Sequence, residues 1–103
     1  LAEREEHPLV TARAVGALPV VMELAAPLLR DNGWLVAWRG RRDADEARAA
    51  EAAAGELGLQ GTPDIDVTPI PGVSRHFSVW RKVADTPSKY PRRPGMAAKR
   101  PIA

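Results

Sequence analysis

Trp34-Leu35-Val36-Ala37-Trp38 is the stretch on which the fold turns. Five successive apolar residues leave no polar face, the pattern of a strand covered by helices on both sides. Before it, Ala17 to Arg30 places Leu18, Val21, Met22, Ala25, Leu28 and Leu29 at the spacing of an amphipathic helix, with Glu23 facing away. Pro19 suits the first turn of that helix, and Pro27 should kink it or restart its last turn. Asp31-Asn32-Gly33 should then stop the helix and turn the chain. After the apolar stretch, Asp43 to Leu57 is rich in alanine, with Asp43 or Asp45 as the cap. Ala47, Ala50, Ala54 and Leu57 form one stripe, and Gly58 is the stop. A strand between two such helices belongs in the middle of a parallel sheet.

Outward from this unit, residues 9–14 read as a strand after Pro8, punctuated by Gly16. Residues 64–70 alternate through Ile65 and Val67 to Ile70, Pro71-Gly72 can turn, and residues 75–83 alternate through Phe77 and Val79. The order strand, helix, strand, helix, strand, strand predicts an α/β fold with right-handed crossovers between parallel strands and a terminal antiparallel hairpin. Residues 1–84 are expected to form this body. Residues 85–103 hold Pro87, Pro91, Pro94, Pro101 and Gly95 and read as an extended basic arm.

With 103 residues the chain is one small domain at most. The absence of cysteine excludes a disulfide framework, a thiolate metal site and a thiol nucleophile, and two histidines argue against zinc. No apolar run approaches the ~20 residues that span a bilayer, so a soluble, cytoplasmic protein is expected. The formal net charge of +2 hides a split. Residues 1–70 carry seven Arg against twelve acids, whereas residues 71–103 carry five Arg and three Lys against Asp85 alone. A near-neutral or acidic body with a basic end suits a polyanionic partner.

Five segments, in order, carry a resemblance. They are Val10-Thr11-Ala12-Arg13-Ala14-Val15, Ala26-Pro27-Leu28-Leu29-Arg30, Ala37-Trp38-Arg39-Gly40, Arg75-His76-Phe77-Ser78-Val79-Trp80-Arg81-Lys82-Val83, and the run from Thr86 to Pro101 that includes Lys89-Tyr90-Pro91-Arg92-Arg93-Pro94-Gly95. Together they resemble the C-terminal half of the glucose-inhibited division protein B family of bacterial rRNA methyltransferases. The resemblance implies the C-terminal part of a Rossmann-like class I methyltransferase. It also implies methyl transfer from S-adenosylmethionine to N7 of a guanine in 16S rRNA, with 16S rRNA or the small ribosomal subunit as partner. The family's Gly-rich cofactor turn and its acidic ribose partner have no counterpart here, so a fragment is expected. Arg39 stands where the family usually has Lys, replacing a point charge by a planar fork.

Guanine N7 offers an in-plane lone pair and no proton, so no general base and no catalytic side chain are expected. The resemblance places Arg13, at the end of the first strand, at the cofactor site; an ion pair with Asp31 or Glu23 is its ordinary alternative. Arg39 is a candidate for RNA or cofactor, or else a solvated strand end, and Arg75 is a candidate for phosphate. His76 reads as a hydrogen-bonded structural residue, and Trp34, Trp38 and Trp80 as core. In the arm, Lys89, Arg92, Arg93, Lys99 and Arg100 are expected to reach RNA phosphates, while Tyr90 either stacks on a base or anchors the arm. The rival function is a non-catalytic RNA-binding or ribosome-assembly module that uses the arm alone.

Overall fold

The computed structural model describes residues 4–13, 16–40, 43–67, 71, 75–93, 95–100 and 102. Strand β1 (His7–Ala12) leads into helix α1 (Leu18–Ala25), a 3-10 turn (Ala26–Leu28) and β2 (Leu29–Arg39). Helix α2 (Ala44–Leu57), the short strands β3 (Leu59–Gly61) and β4 (Ile65–Val67), β5 (Arg75–Lys82) and a one-turn α3 (Met96–Lys99) follow. β1 and β2 are parallel; β5 runs antiparallel to β2, β3 and β4, giving the order β1-β2-β5-β3 with β4 also on β5. The α2 crossover therefore carries the chain past the position that β5 later fills. This is the expected α/β sheet, with one antiparallel strand inserted.

Helix α2 forms as its sequence dictates. The Asp43 carboxylate accepts from the backbone N–H groups of Asp45 at 2.9 Å and Glu46 at 3.2 Å, filling donors that the first turn leaves open. At the other end Gly58 takes φ 79°, a left-handed cap that side chains resist, and its carbonyl accepts from Val83 and Ala84. The buried stripe is Ala50, Ala53, Ala54 and Leu57, with Ala47 left exposed.

Helix α1 is shorter than its periodicity predicts. Pro27 restarts it as the 3-10 turn, and β2 already begins at Leu29. Asp31-Asn32-Gly33 is not a turn between elements but a bulge inside β2: the two-residue step from His7 to Leu9 in β1 spans Leu29 to Trp34, and Asn32 sits at φ 64°. Glu23 does not face away; it is 1% exposed, because the far side of α1 is covered by the C-terminal segment. β1 starts before Pro8, which an edge strand tolerates where its missing N–H faces no partner. Within the predicted 64–70 strand only Ile65–Val67 forms, 68–70 lie outside the described residues, and β3 is an addition.

The two-sided cover expected for Trp34–Trp38 is corrected to one side. Val10, Leu35 and Trp80 lie across one another in register and pack with Leu18, Met22, Ala25, Ala50 and Leu57. The opposite face carries Leu9 and Ile65, each more than half exposed, with Trp34 at 38% and Trp38 at 36%. Both crossover helices sit on the first face, so of the three tryptophans only Trp80 is core.

The C-terminal segment is likewise not an extended arm. Thr86, Tyr90 and Ala97 are buried, and Thr86 Oγ1 donates to the Leu57 carbonyl at 2.6 Å. Arg4, in the turn before β1, donates to the carbonyls of Tyr90 at 2.6 Å and of Thr86 and Pro87, both at 3.0 Å. Proline prevents helix here, but it leaves carbonyls available, and one guanidinium gathers three of them.

Lys82 has no exposed side-chain surface. Its Nζ donates to the carbonyls of Ala26 at 2.8 Å and Leu29 at 2.9 Å and reaches the Glu5 carboxylate at 3.3 Å. Among the described residues no buried side-chain nitrogen or oxygen lacks a partner, as a low-dielectric interior requires.

Lys82→Met, which keeps the length and removes the donor, is expected to destabilise the fold by about 1–3 kcal/mol, read as a lowered urea midpoint with unchanged slope. The bare sheet face and the unpaired edge of β1 should make the isolated chain self-associate. Sedimentation over a hundredfold concentration range is expected to show growing mass; a monomer throughout would mean that this face is tolerated in water.

Candidate functional site

The C-terminal ends of β1 and β2 and the start of β5 bring the predicted body residues together. Arg13 follows β1, Arg39 closes β2, and Arg75 opens β5. The pleat then separates them. Arg39 pairs in register with His76 on the helix-covered face, whereas Trp38, beside Phe77, points to the bare face.

On the covered face Arg39 is nearly buried. One guanidinium nitrogen donates to the Gly16 carbonyl at 2.9 Å and the other to both oxygens of Glu46 at 2.8 and 2.9 Å. Glu46 Oε2 also accepts from the Leu18 N–H at the start of α1. The planar fork spreads its donors over both Glu46 oxygens and the Gly16 carbonyl. Of the readings made for Arg39, the solvated strand end is contradicted, since the residue is 9% exposed; a contact to RNA or cofactor would have to share a guanidinium already held by Gly16 and Glu46. His76 Nδ1 lies 2.8 Å from the Gly40 carbonyl, an acceptor only, so Nδ1 carries the proton and donates. Its Nε2 is 3.9 Å from Asp64.

On the bare face Arg13, Trp38, Gly40 and Arg75 line a cleft of about 420 Å³. The Arg13 guanidinium lies over the Trp38 ring, 5.1 Å from its centroid, and Phe77 meets the same ring edge-on at 5.1 Å and 74°. The ion pair considered for Arg13 does not form: Glu23 binds Arg92, and Asp31 lies at the opposite end of β2. No carboxylate lines this cleft among the described residues. A second hollow, of about 490 Å³ on the covered face, has the opposite character, with Asp43, Glu46, Glu51 and Asp64 around Trp80. Among the described residues no cluster of three or more His, Asp or Glu could hold a metal ion, and no helix is long and apolar enough to cross a membrane.

The basic segment contributes unevenly. Lys89, Arg93, Lys99 and Arg100 are exposed. Tyr90 is 5% exposed and packs in the core with Lys89 and Arg92 against its ring, so of its two readings the anchor is the one observed. Arg92 turns inward: Nη2 meets Glu23 Oε1 at 2.6 Å, Nε meets Oε2 at 3.0 Å, its own N–H donates to Oε2 at 3.0 Å, and Nη2 also reaches the Arg100 carbonyl. Burial alone pushes the Glu23 carboxyl up; the Arg92 side chain, its backbone N–H and its charge outweigh this and hold it below its ordinary value. Sequence reasoning missed Arg4, Glu23 and Lys82. For Glu23 the available signal was an acid on an otherwise apolar helix with an Arg-rich segment downstream.

Residues 1–63 match the family model described as GidB, rRNA small subunit methyltransferase G. The chain is 43% identical over 100 residues to the ribosomal RNA small subunit methyltransferase G of Deinococcus deserti, covering 96% of this chain and 41% of that protein. It is 45% identical over 103 residues to the protein of the same name from Chloroflexus aggregans, covering 99% and 43%. The chain thus spans about two fifths of the length of the curated relatives it matches. Among solved structures, a Thermus thermophilus protein described as a DNA modification methylase superposes with a TM-score of 0.56 at 14% identity, covering 82% of this chain and 48% of that one. That likeness supports the fold alone.

Because the folded-state pKa of Glu23 is depressed, its pairing stabilises the protein above the ordinary glutamate pKa of about 4.3, and this contribution is lost as pH falls through the folded value. In Arg92→Met only the backbone N–H of residue 92 is left to oppose burial, so the folded pKa rises relative to the parent's and the stability that the pairing adds above about 4.3 is lost. The gap between parent and variant urea midpoints is therefore expected to be wide at pH 7 and to narrow toward pH 3.5; a constant gap would deny the buried carboxylate its role.

Proposed function

The chain belongs to the GidB family, rRNA small subunit methyltransferase G, and on that premise we propose that it forms part of an enzyme methylating N7 of a guanine in 16S rRNA. The methyl donor is S-adenosylmethionine, the partner is 16S rRNA or the small ribosomal subunit, and the place is the cytoplasm. The observation that carries this reading is the cationic, aromatic cleft at the C-terminal edge of β1 and β2, the edge where open α/β sheets take their ligands.

The chemistry asks little of side chains. N7 attacks through its own lone pair, so the protein has to hold the acceptor in line and exclude water. His76, hydrogen-bonded to a carbonyl on the other face, is not needed as a base. When bound, S-adenosylmethionine supplies an activated methyl group. The described lining of the cleft would meet one end of that cofactor: a guanidinium suits its methionine carboxylate, while no carboxylate for the ribose hydroxyls is present among the described lining residues. Arg13 is accordingly kept as one cofactor contact, and the remaining contacts are ascribed to the part of the longer relatives that this chain does not span. The exposed Lys89, Arg93, Lys99 and Arg100 remain available to phosphates, a smaller set than the sequence offers.

A chimera tests the reading. With this chain replacing the matching segment of the Deinococcus deserti relative, labelled methyl groups are expected to pass from S-adenosylmethionine to a guanine of 16S rRNA. A folded chimera that binds the rRNA but transfers nothing, while the parent relative does, would favour the non-catalytic RNA-binding module.

A further inference from the structure

We propose that Asn32-Gly33, in the bulge of β2, is a self-modification site, at which the folded chain converts its only asparagine to aspartate and isoaspartate and releases ammonia. The proposal goes beyond the methyltransferase reading and takes nothing from it. Three observations lead to it. First, the bulge dictates the pair. Asn32 sits at φ 64°, a left-handed conformation that asparagine accepts more readily than most side chains. A Cβ at position 33 would come within 2.9 Å of the Arg30 carbonyl oxygen and 3.0 Å of that of His7, so glycine alone fits, and a glycine nitrogen is the least hindered nucleophile that a peptide backbone offers. Second, the pair stands outside the ladders. The pairs of β1 step from Leu29 to Trp34 and those of β5 begin at Trp34, so among the described residues no ladder pair includes Gly33. Third, Arg81 Nη2 donates to Asn32 Oδ1 at 3.0 Å, while its guanidinium lies 5.5 Å from the centroid of the Trp34 ring. A cationic donor is thus already aimed at the oxygen on which negative charge develops when a nucleophile adds to Cγ.

The Gly33 nitrogen gives its proton to water and bonds to Asn32 Cγ, and Oδ1 takes the charge. When that charge collapses, the Cγ–Nδ2 bond breaks and Nδ2, on an exposed residue, leaves with a solvent proton as ammonia. A five-membered imide remains. Water adding at Cγ breaks the new N–Cγ bond and gives aspartate; water adding at the main-chain carbonyl carbon breaks the original peptide bond and gives isoaspartate, joined to Gly33 through its side chain. One water is consumed, one ammonia is released, and no oxidation state changes. The aspartate carboxylate then stands where Oδ1 did, exchanging a neutral acceptor for a charged one beside Arg81. The extra main-chain methylene of isoaspartate falls in a bulge that no ladder register constrains. Gln60-Gly61 serves as an internal control. It too is an amide before glycine, but Gln60 is held in register with Arg81 by the β3 ladder and would have to close a larger ring.

The test is a time course on the full 103-residue chain, kept dilute at mildly alkaline pH, beside the same chain unfolded in urea. Released ammonia is measured, and the tryptic peptide from Asp31 to Arg39 is resolved by mass and chromatography against the same peptide from Asn32→Asp. One ammonia per chain is expected, with conversion confined to that peptide, Gln60 intact, and the folded chain reacting no more slowly than the unfolded one. Arg81→Met should slow the folded chain by about 5- to 10-fold and leave the unfolded chain unchanged. Arg81→Gln, which keeps a donor without the charge, should fall between parent and Arg81→Met, and it reports on the guanidinium if the methionine variant does not fold. A folded chain that keeps Asn32 while the unfolded chain loses it would overturn the proposal, since the bulge would then protect the amide. Equal rates in the folded parent and the folded Arg81 variants would overturn it as well, by reducing the site to a property of the dipeptide alone.

Discussion

A single ammonium group without water around it organises this fold. Lys82 stands at the end of β5, the strand inserted between β2 and β3, and its nitrogen gathers carbonyls from the 3-10 turn and from the first residue of β2. Those carbonyls belong to the place where Pro27 has broken the helix: Ala26 already accepts from the Leu29 N–H that closes the 3-10 turn, and Leu29 opens β2. A long cationic side chain from the helix-covered face of β5 adds a donor to both and also draws in Glu5, which fixes the turn before β1. Helix end, strand start and that first turn are thereby tied to one point. Burying an isolated charge is costly, and three acceptors with good geometry are what make it tolerable.

The sequence is most legible where one force acts alone. The Asp43 cap, the alanine-rich α2 and the Gly58 stop are local, and each forms where it is expected. Reading fails where a distant segment intervenes. Glu23 looks like a solvent-facing residue because nothing within a helical turn competes for it, yet its partner is Arg92, 69 residues away. The prolines after residue 85 suggest a segment held away from the body, but a proline forbids helix without forbidding contact. Trp34 and Trp38 show a third kind of limit. An apolar run records that both faces of a strand are to be covered without recording which polypeptide supplies the cover.

The same distinction applies to charge. The C-terminal third is strongly basic by count, but Lys82 is sealed inside the body and Arg92 is neutralised by a buried carboxylate. In the other direction Arg39 stabilises the corner where β2, α1 and α2 meet, leaving Arg13 and Arg75 at the mouth of the bare-face cleft. Which arginine meets a ligand is decided by the pleat, since neighbours in a strand point to opposite faces. Arg39 and Trp38 are adjacent in sequence and on opposite sides of the sheet.

The clasp formed by Arg4 has a consequence for the order in which the molecule assembles. Its three hydrogen bonds join residues more than 80 positions apart, and closing a loop of that length carries an entropic cost that shorter contacts do not bear. The β1–α1–β2 and α2 units can form from near neighbours, so the clasp closes last, over a sheet already in place. By the same token its partly exposed bonds belong to the region of lowest local stability, and the molecule opens from this seam first. Tyr90 and the Glu23–Arg92 pair lie beneath it, which makes the seam between the two ends of the chain the route by which water first enters the core.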